Sequence, residues 1–316
     1  MSSPVATSRP QAHARAPACL QAAIAIWLGA SLLTLTAAAP APAEWEKTVT
    51  IRPRGAFPNP RQLVGIYDFG WSELVAATAE IRVDDGNGNL RLDGDGATVG
   101  VVRALWKFDT HHRAVADAKT LHPISMHEVD EKRRKTLVTD LVFKPGSVER
   151  VRTDTSAKKP AEPKKFEFSH GLFDMFSALL YIRSQPLKKG DVYRIVVYPA
   201  TNAYLATLTV ADRGPITVGA GEYPAIKLDV QLKKVGKHRE LEPHKKFRRA
   251  SVWVSDDADR LLLRIEASIF VGSVFAELQS VRFPEKSVAS ANMPNDKAAP
   301  IPRDKPAVQE TAPAAE

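Results

Sequence analysis

The stretch Phe173-Asp174-Met175-Phe176-Ser177-Ala178-Leu179-Leu180-Tyr181-Ile182-Arg183 decides the fold of this chain. Its apolar side chains recur at helical spacing, so the pattern predicts one helix over residues 172–183. Ser169 or His170 is the expected N-cap, and Pro186 ends the helix. A helix this apolar must be covered by other elements, which therefore have to pack around it.

Period-two alternation dominates most of the remaining chain, which is typical of strands with one buried and one wet face. The alternation predicts strands over residues 63–69, 75–83, 137–143, 148–152, 192–198, 204–210, 226–232, 261–269 and 274–278. The segments 199–202 and 271–273 predict tight hairpin turns between neighbouring strands. Residues 48–52 are compatible with a short edge strand that Pro53 ends.

One helix among many antiparallel strands predicts a mainly β fold. We expect a curved antiparallel sheet, or a half-open barrel or sandwich, with the helix packed on the concave face. A single β-rich domain is expected over residues 62–284, after an N-terminal extension over 44–61. The composition of residues 153–165 predicts a mobile insertion, and the Ala/Pro-rich tail over 285–316 predicts disorder.

The beginning of the chain resembles a secretory signal peptide over residues 1–43. A basic leader without acidic residues precedes an apolar run over 20–36, and Ala41-Pro42-Ala43 has the small-x-small pattern of a cleavage site. Polar interruptions in the run favour cleavage over a permanent span, and no later segment is long and apolar enough to cross a bilayer. The sequence thus predicts an exported, periplasmic protein. Cys19, the one cysteine, would leave with the leader.

The net charge limits the classes of binding partner that are expected. The chain carries +8, and Arg9 and Arg15 lie in the leader, so about +6 remains after cleavage. Basic residues cluster at 132–135, 158–159, 164–165, 233–234 and 244–249. Solvated loop charge is the plain explanation, and a surface for anionic envelope polymers or lipid headgroups is the functional alternative. Nucleic acid is not expected, because export removes it and no reader motif is present.

An acidic, glycine-rich stretch over residues 84–96 resembles a calcium loop, which needs several oxygen ligands on a flexible backbone. Counted from Asp85, however, Leu90 stands where the loop needs glycine and Gly96 stands where it needs glutamate. Asn-Gly and Asp-Gly pairs also favour tight turns. We therefore expect turns here and no calcium.

Four histidines, His111, His112, His122 and His127, are potential zinc ligands. No two of them have the helical spacing, with an intervening acid, that a zinc protease uses. We expect exposed histidines around strand ends and no metal.

The sequence lacks the motifs of common catalytic chemistries, including a nucleophile elbow, a Ser-x-x-Lys pair and phosphate-binding glycine loops. No catalytic residue and no cofactor is predicted, and we do not expect an enzyme. The best acidic pair is Asp256-Asp257, which would suit a hydrolase acting on envelope glycans. Its small and charged neighbours favour a hairpin turn instead.

Charged residues stand near both ends of the predicted helix. Asp174 lies in the first turn and Arg183 in the last, where a carboxylate and a cation each interact favourably with the helix dipole. We expect both to serve the fold, and the functional alternative is that one of them anchors a ligand.

With these residues in hand, the chain resembles the bacterial domain-of-unknown-function family 3108, a group of exported envelope proteins, over about residues 63–283. The motifs that carry the resemblance are Tyr67 and Trp71, the segments 96–100 and 105–108, the helix segment 174–183 with Pro186-Leu187 and Gly190-Asp191, and the segments 221–225, 252–257 and 272–274. The resemblance implies a curved, largely antiparallel sheet with a helix, and it supplies no catalytic residues. The lysine-rich insertion and the long tail depart from the family pattern.

The expected function is non-enzymatic binding of a lipid or another apolar envelope ligand between the curved sheet and the helix. The candidate cavity-lining residues are Phe173, Phe176, Leu180, Trp253 and Phe275, with plain core packing as the alternative for each. The competing functions are a glycan-directed hydrolase and a structural scaffold of the cell envelope. The architecture also looks like that of periplasmic lipoprotein carriers, an analogy of fold alone.

Overall fold

Strands make up most of the computed structural model, which describes residues 43–157, 161–243, 249–269 and 271–284. The strands are, in chain order, β1 (Leu63–Trp71), β2 (Leu74–Gly86), β3 (Asn89–Thr98), β4 (Phe108–Asp117), β5 (Pro123–Lys132), β6 (Lys135–Lys144), β7 (Ser147–Asp154), β8 (Lys164–Glu167), β9 (Leu172–Phe173), β10 (Val192–Val197), β11 (Tyr204–Val218), β12 (Gly221–Val235), β13 (Leu241–Pro243), β14 (Arg249–Ser255), β15 (Leu262–Ser268) and β16 (Ser273–Arg282). The helices are α1 (Gly100–Leu105) and α2 (Met175–Ser184), and Glu44–Thr48 forms a 3-10 helix.

All of these strands belong to one sheet. Its order is β8-β7-β6-β5-β4-β3-β2-β1-β16-β15-β14-β12-β11-β10-β9, and β13 lies beside β12. Neighbouring strands are antiparallel except β9, which runs parallel to β10. In the described part of the chain the two terminal strands of this order do not pair with each other, so the sheet is open. The expectation of a mainly β fold with a curved or half-open sheet is confirmed.

The sheet rolls until its two ends overlap. We call the face on which α2 packs the inward face. Inward side chains of β5, β6 and β7, including Met126, Leu141 and Val148, pack against the outward face of β10 and β11 at Val196 and Leu205. One end of the sheet is therefore tucked inside the other. This apolar overlap takes the place of the hydrogen bonds that would close a barrel.

Helix α2 lies inside the roll and is buried on nearly every side. Ala178, Tyr181 and Ile182 pack on the inward face of the β10 to β14 half of the sheet. On the other side of the helix, Phe176 and Leu180 pack on β3 and β4. The helix thus joins two halves of the sheet that do not contact each other through backbone pairing, which explains why it is apolar all round.

The helix was predicted to begin too early, and its N-cap was wrong. Leu172 and Phe173 form β9, and the cap is Asp174 in place of Ser169 or His170. The Asp174 carboxylate accepts a hydrogen bond from the Ser177 amide at 2.6 Å, and the Asp174 amide donates to the Ser177 hydroxyl at 3.0 Å. This capping box sets the start of the helix. Local periodicity could not show that the preceding pair of residues adds to β10.

The nine predicted strands are present, but the ten-residue strands β3, β4 and β5 have no counterpart among them, and neither do the shorter β8, β13 and β14. Of the predicted turns over 84–96, only Asn87-Gly88 is one, with φ angles of 54° and 78° in a two-residue hairpin turn. Asp93 and Gly96 lie within β3, which pairs with β2 and β4 along its length. Pairing on both sides overrides the poor strand propensity of these residues.

The N-terminal extension contradicts the edge strand that residues 48–52 suggested. After the 3-10 helix the chain runs extended along the roll. The Thr50 amide donates to the Arg194 carbonyl at 2.7 Å, and the Arg194 amide donates to the Thr50 hydroxyl at 2.8 Å. Further on, Arg54 donates to the Ala118 carbonyl at 2.6 Å. The extension therefore links β10 to the turn after β4 without joining the sheet.

The predicted insertion over 153–165 has strands at both ends. β7 continues to Asp154, and β8 begins at Lys164 and pairs with β7. Residues 158–160 lie outside the described residues, as do the predicted signal peptide up to residue 42 and the predicted disordered tail over 285–316.

A buried ion pair holds the start of the extension in place. Glu46 is 1% exposed. Its carboxylate accepts hydrogen bonds from Arg239 at 2.7 and 3.0 Å, from the Ala43 amide at 3.1 Å and from Ser169. Burial alone would raise the pKa of Glu46, but these hydrogen bonds outweigh it and lower the pKa below its usual value.

We predict that Arg239→Ala lowers the free energy of unfolding by about 3–5 kcal/mol, because it leaves a buried carboxylate uncompensated. Since the folded pKa of Glu46 is depressed, its contribution is present at neutral pH and is lost as the pH falls through that folded value. Urea unfolding at neutral and acidic pH measures both effects. Lys189→Ala is the control, because it removes an exposed pair with Asp212 and should cost less than about 1 kcal/mol. Equal losses in the two variants would contradict the prediction.

Candidate ligand-binding site

The two ends of the roll differ. We call one the plugged end, because the C-terminus of α2, residues 52–61 and the β14–β15 turn meet there. We call the other the mouth, where the β1–β2, β5–β6 and β15–β16 turns and α1 lie. A ligand can enter the roll only through an end that side chains do not fill.

Two arginines fill the plugged end. Arg183 is buried and donates to the Pro58 carbonyl at 2.8 Å and the Asp259 carbonyl at 2.7 Å. Arg260 donates to the carbonyls of Arg183 and Gln185, the last carbonyls of α2, and its guanidinium lies 3.8 Å from the centre of the Phe57 ring. Burial, together with the charge of Arg260, lowers the pKa of Arg183 to about 10. These contacts satisfy the end of the helix and close this end of the roll.

An apolar wall lines the inward face toward the mouth. Val252, Ile265, Ala276, Phe69 and Ala77 are successive cross-strand partners from β14 to β2. This row continues from buried Val210 and Leu228 beneath α2, which places the five side chains on the inward face. Yet four of them are only half-buried, and Phe69 is 37% exposed. Interior apolar side chains are normally close-packed, so this part of the core is incompletely filled.

Helix α2 contributes its own exposed side chains to the same region. Leu179 is half-buried and, like Val230, Leu232 and Val252, packs against the buried cluster beneath α2. Met175, one turn before Leu179 on the same helix face, is 55% exposed. The residues at positions 77, 79, 94 and 96 of β2 and β3 are alanine or glycine, so their small side chains fill little of the interior on that side of the roll. We call the five-residue row together with Met175 and Leu179 the mouth wall.

The predicted cavity residues do not line one cavity. Phe173 packs in one cluster, and Phe176 and Leu180 pack in another, each between 2% and 7% exposed. Trp253 and Phe275 lie on the outward face, beneath Lys227 and Arg264 respectively. Successive side chains of a strand alternate between faces, so choosing these aromatics selected the wrong face of β14 and β16. Their neighbours Val252 and Ala276, which sequence reasoning passed over, belong to the mouth wall.

A buried carboxylate marks the start of α2, next to exposed Met175. Asp174 is 2% exposed, and its Oδ2 has no hydrogen-bond partner among the described residues. Burial raises the pKa of Asp174, although bonds from Ser177 and the positive charge of nearby His112 act in the opposite direction. His112 lies on the inward side of β4, with Nδ1 3.3 Å from Glu128 Oε2. The apolar wall thus has polar groups close to it.

The acidic pair Asp256-Asp257 forms a turn. Asp257 Oδ1 accepts hydrogen bonds from the Ser255 hydroxyl at 2.7 Å and from the amides of Asp259 and Arg260 at 2.9 and 3.0 Å. Asp256 pairs with Arg213. Both carboxylates are engaged in holding the β14–β15 connection, so they give a hydrolase no candidate pair.

His111, His112 and His127 lie within strands and not around strand ends as expected, whereas His122 immediately precedes β5. His111 and His127 lie on the outward faces of β4 and β5, and their Nδ1 atoms are each 2.7 Å from a carboxylate, of Asp95 and Asp140 respectively. In the described ranges no three His, Cys, Asp or Glu side chains are grouped so that they could hold a metal ion. An outward groove of about 540 Å³ crosses β1 to β5, but its lining includes the ion-paired Asp95, Asp109 and His111. It does not suit an apolar ligand.

An open sheet rolled around one buried helix, plugged at one end and apolar at the other, defines a barrel-like β domain. The sequence also matches the profile of a protein family of unknown function over residues 66–279, more than half of the chain. The chain belongs to this family, DUF3108, as the sequence resemblance suggested. Among curated proteins no sequence matches it.

A solved structure supports the fold, and two others align with it more weakly. A β-barrel-like protein of the unknown-function domain DUF1849 from Brucella abortus aligns with 72% of this chain and 100% of its own, at 9% identity and a TM-score of 0.51. A candidate lipoprotein from Parabacteroides distasonis aligns with 73% of this chain and 100% of its own, at 8% identity and a TM-score of 0.29. A candidate exported protein with a YmcC-like fold from Bacteroides fragilis aligns with 72% and 99%, at 7% identity and a TM-score of 0.27. Only the first is similar enough to inform the fold of this chain.

We predict that Asp174→Asn leaves the free energy of unfolding within about 1 kcal/mol of wild type at neutral pH, because Asn and Asp are equivalent N-caps, whereas Asp174→Ala costs about 1–2 kcal/mol. The folded pKa of Asp174 is raised, so the protonated carboxyl stabilises the fold at acidic pH and this contribution is lost as the pH rises through the folded value. The Asn variant should therefore gain on wild type between mildly acidic and neutral pH in urea unfolding. His112→Asn is the control, because it removes the neighbouring imidazole and keeps the Asp174 carboxyl. A loss above about 3 kcal/mol in Asp174→Asn would mean that a charged carboxylate is needed.

Proposed function

We propose that this protein is a non-enzymatic binding protein for an apolar ligand of the cell envelope, with a lipid acyl chain as the leading candidate. The observation that carries the proposal is the mouth wall, a continuous inward row of apolar side chains that are left half-buried although they border the core. Apolar pockets with a few convergent polar groups are the usual form of a small-molecule site. Here the polar groups are Asp174 and His112.

The wall is large enough for a long alkyl chain. Its row crosses five strands, which at a strand spacing of about 4.8 Å gives a length of roughly 19 Å. Burying a methylene contributes about 0.8 kcal/mol, so ten methylenes contribute on the order of 8 kcal/mol before the costs of association. That is sufficient for reversible binding of a lipid, and the wall lacks the donors that an anionic polymer would need.

Other functions have less support. The hydrolase hypothesis depended on Asp256 and Asp257, which are both engaged in a turn. A surface for anionic envelope polymers depended on basic clusters, of which residues 158–159 and 244–248 lie outside the described residues. A structural scaffold remains the alternative, and it would need no ligand in the roll.

The ligand proposal is tested by native mass spectrometry of gently purified protein, and by fluorescent fatty-acid binding. We predict co-purifying lipid in the wild type and an affinity at least tenfold lower in Ala77→Phe, because the new ring occupies space on the mouth wall beside Phe69, the cross-strand partner of Ala77. Ala97→Phe is the matched control. Ala97 is also half-buried and neighbours the Ala77 pairing partner Thr98, but it faces outward into the surface groove.

The control variant should bind within twofold of wild type, and both variants should unfold at similar temperatures. Absence of any co-purifying lipid, together with no measurable fatty-acid binding, would remove the lipid proposal and favour the scaffold. Equal effects of Ala77→Phe and Ala97→Phe would place the ligand outside the roll.

Export to the periplasm of a Gram-negative envelope is the second part of the proposal, and it depends on the leader at the start of the sequence. Among the described residues no helix has the length and apolar character needed to cross a membrane. We predict that N-terminal sequencing of protein from the periplasmic fraction begins at Glu44. An intact leader recovered in the membrane fraction would overturn cleavage, and protein confined to the cytoplasm would overturn export.

A further inference from the structure

Exposed apolar side chains are concentrated at the mouth. Among the described residues, seven large apolar side chains are more than half exposed, at positions 51, 74, 101, 105, 106, 175 and 271. Leu74, Val101, Leu105, Trp106 and Val271 lie on the turns and short helix at the mouth. The other two are Met175, at the start of α2, and Ile51, in the N-terminal extension. Single exposed apolar residues need no explanation, but this clustering does.

We use the name mouth rim for Leu74, Val101, Leu105, Trp106 and Val271, together with Trp71, which is 46% exposed. They protrude from three connections that are neighbours in the sheet order, β15–β16, β1–β2 and β3–α1–β4. Val101 and Leu105 are one turn apart on α1 and are 73% and 77% exposed, so one face of this helix is apolar and open to water.

The connections that carry the mouth rim are held firmly. The Trp71 indole donates to the Val271 carbonyl at 2.7 Å, and the Ser72 amide donates to the Ser273 carbonyl at 2.7 Å. Beside α1, the Val99 amide donates to the Ala76 carbonyl at 3.0 Å, and the Trp106 ring stacks on Phe108 with 5.5 Å between ring centres. These hydrogen bonds and the ring contact hold the connections in place while their apolar side chains face solvent. The connections are therefore not sheet edges with free hydrogen-bonding groups.

Cations stand next to the apolar tips. Arg133 donates to the Ala104 carbonyl of α1 at 3.4 Å. Arg133 and Arg134 form no ion pair with a described residue. Two acidic residues of this region, Glu73 and Glu131, also form no ion pair with a described residue. The unpaired cations therefore lie beside α1, whereas the β1–β2 turn carries the acidic Glu73.

We infer that the mouth rim docks this protein on the surface of an anionic lipid bilayer. Tryptophan and aliphatic side chains on separate protruding tips, flanked by arginine, match the chemistry of the membrane interface, where indole rings settle at headgroup depth and cations meet anionic headgroups. Separate tips around an opening do not form the flat, close-packed patch that a protein partner would need. The docked orientation places the mouth of the roll against the bilayer.

The test is flotation of protein purified from the periplasmic fraction with vesicles of phosphatidylethanolamine and phosphatidylglycerol in a three to one ratio. Wild type should float with these vesicles. Val101→Asp/Leu105→Asp should reduce the bound fraction at least tenfold, because two carboxylates would have to enter the interface. Ile51→Asp is the matched control, since Ile51 is 76% exposed but lies away from the mouth, and it should bind within twofold of wild type.

Charge is tested by Arg133→Gln and Arg134→Gln, each expected to weaken binding about fivefold on the anionic vesicles at low salt and to have no effect on pure phosphatidylcholine vesicles. These exposed positions should leave the unfolding temperature unchanged. Absence of flotation, or an equal loss in Ile51→Asp, would overturn the inference. Concentration-dependent self-association that Val101→Asp/Leu105→Asp abolishes, without vesicle binding in wild type, would assign the rim to a second copy of the chain.

The experiments distinguish failure of the docking inference from failure of the proposed ligand-binding function. Co-purified lipid retained by a protein that does not float would leave the proposed function standing and reject docking at the rim. Flotation of a protein that holds no lipid would do the reverse.

Discussion

The burial of α2 is the constraint on which the rest of the structure depends. This helix of ten residues has buried side chains on opposite sides, from Phe176 and Leu180 on one to Tyr181 and Ile182 on the other. A single flat sheet can cover one side of a helix only. The sheet must therefore bring two distant sets of strands, β3–β4 and β10–β12, to opposite sides of α2, which requires it to roll.

Rolling places neighbours on both faces of the inner end of the sheet. The inner strand must therefore be apolar on both faces, which is a second requirement. The run Ile195-Val196-Val197-Tyr198 meets it with apolar residues at every position. Ile195 and Val197 face α2, while Val196 and Tyr198 face β5 to β7. A continuous apolar run is the sequence signature of a strand buried on both faces, and the prediction of a strand over 192–198 did not draw that conclusion from it.

Sequence periodicity missed β4 because the two faces of this strand do not differ in polarity. In β4 the inward side chains Thr110 and His112 are as polar as the outward Asp109 and His111, so no alternation marks the strand. Only pairing with β3 and β5 reveals it. The mouth wall was missed for another reason. Aromatic size suggested a cavity lining, but the face on which a side chain lies depends on register, and this placed Trp253 outward and Val252 inward.

The polar side chains of β4 also distinguish the two ends of the roll. Thr110 donates to Asp130 across the inward face at 3.0 Å, and His112 lies near the buried carboxylate of Asp174, so this part of the inward face is not the dry core that alternation reports. At the plugged end Arg183 and Arg260 donate to the carbonyls of Pro58, Asp259, Arg183 and Gln185, whereas toward the mouth polar groups and half-buried aliphatic side chains lie together. Sequences usually break local folding rules where function needs them to, and this chain breaks them around the opening of its roll.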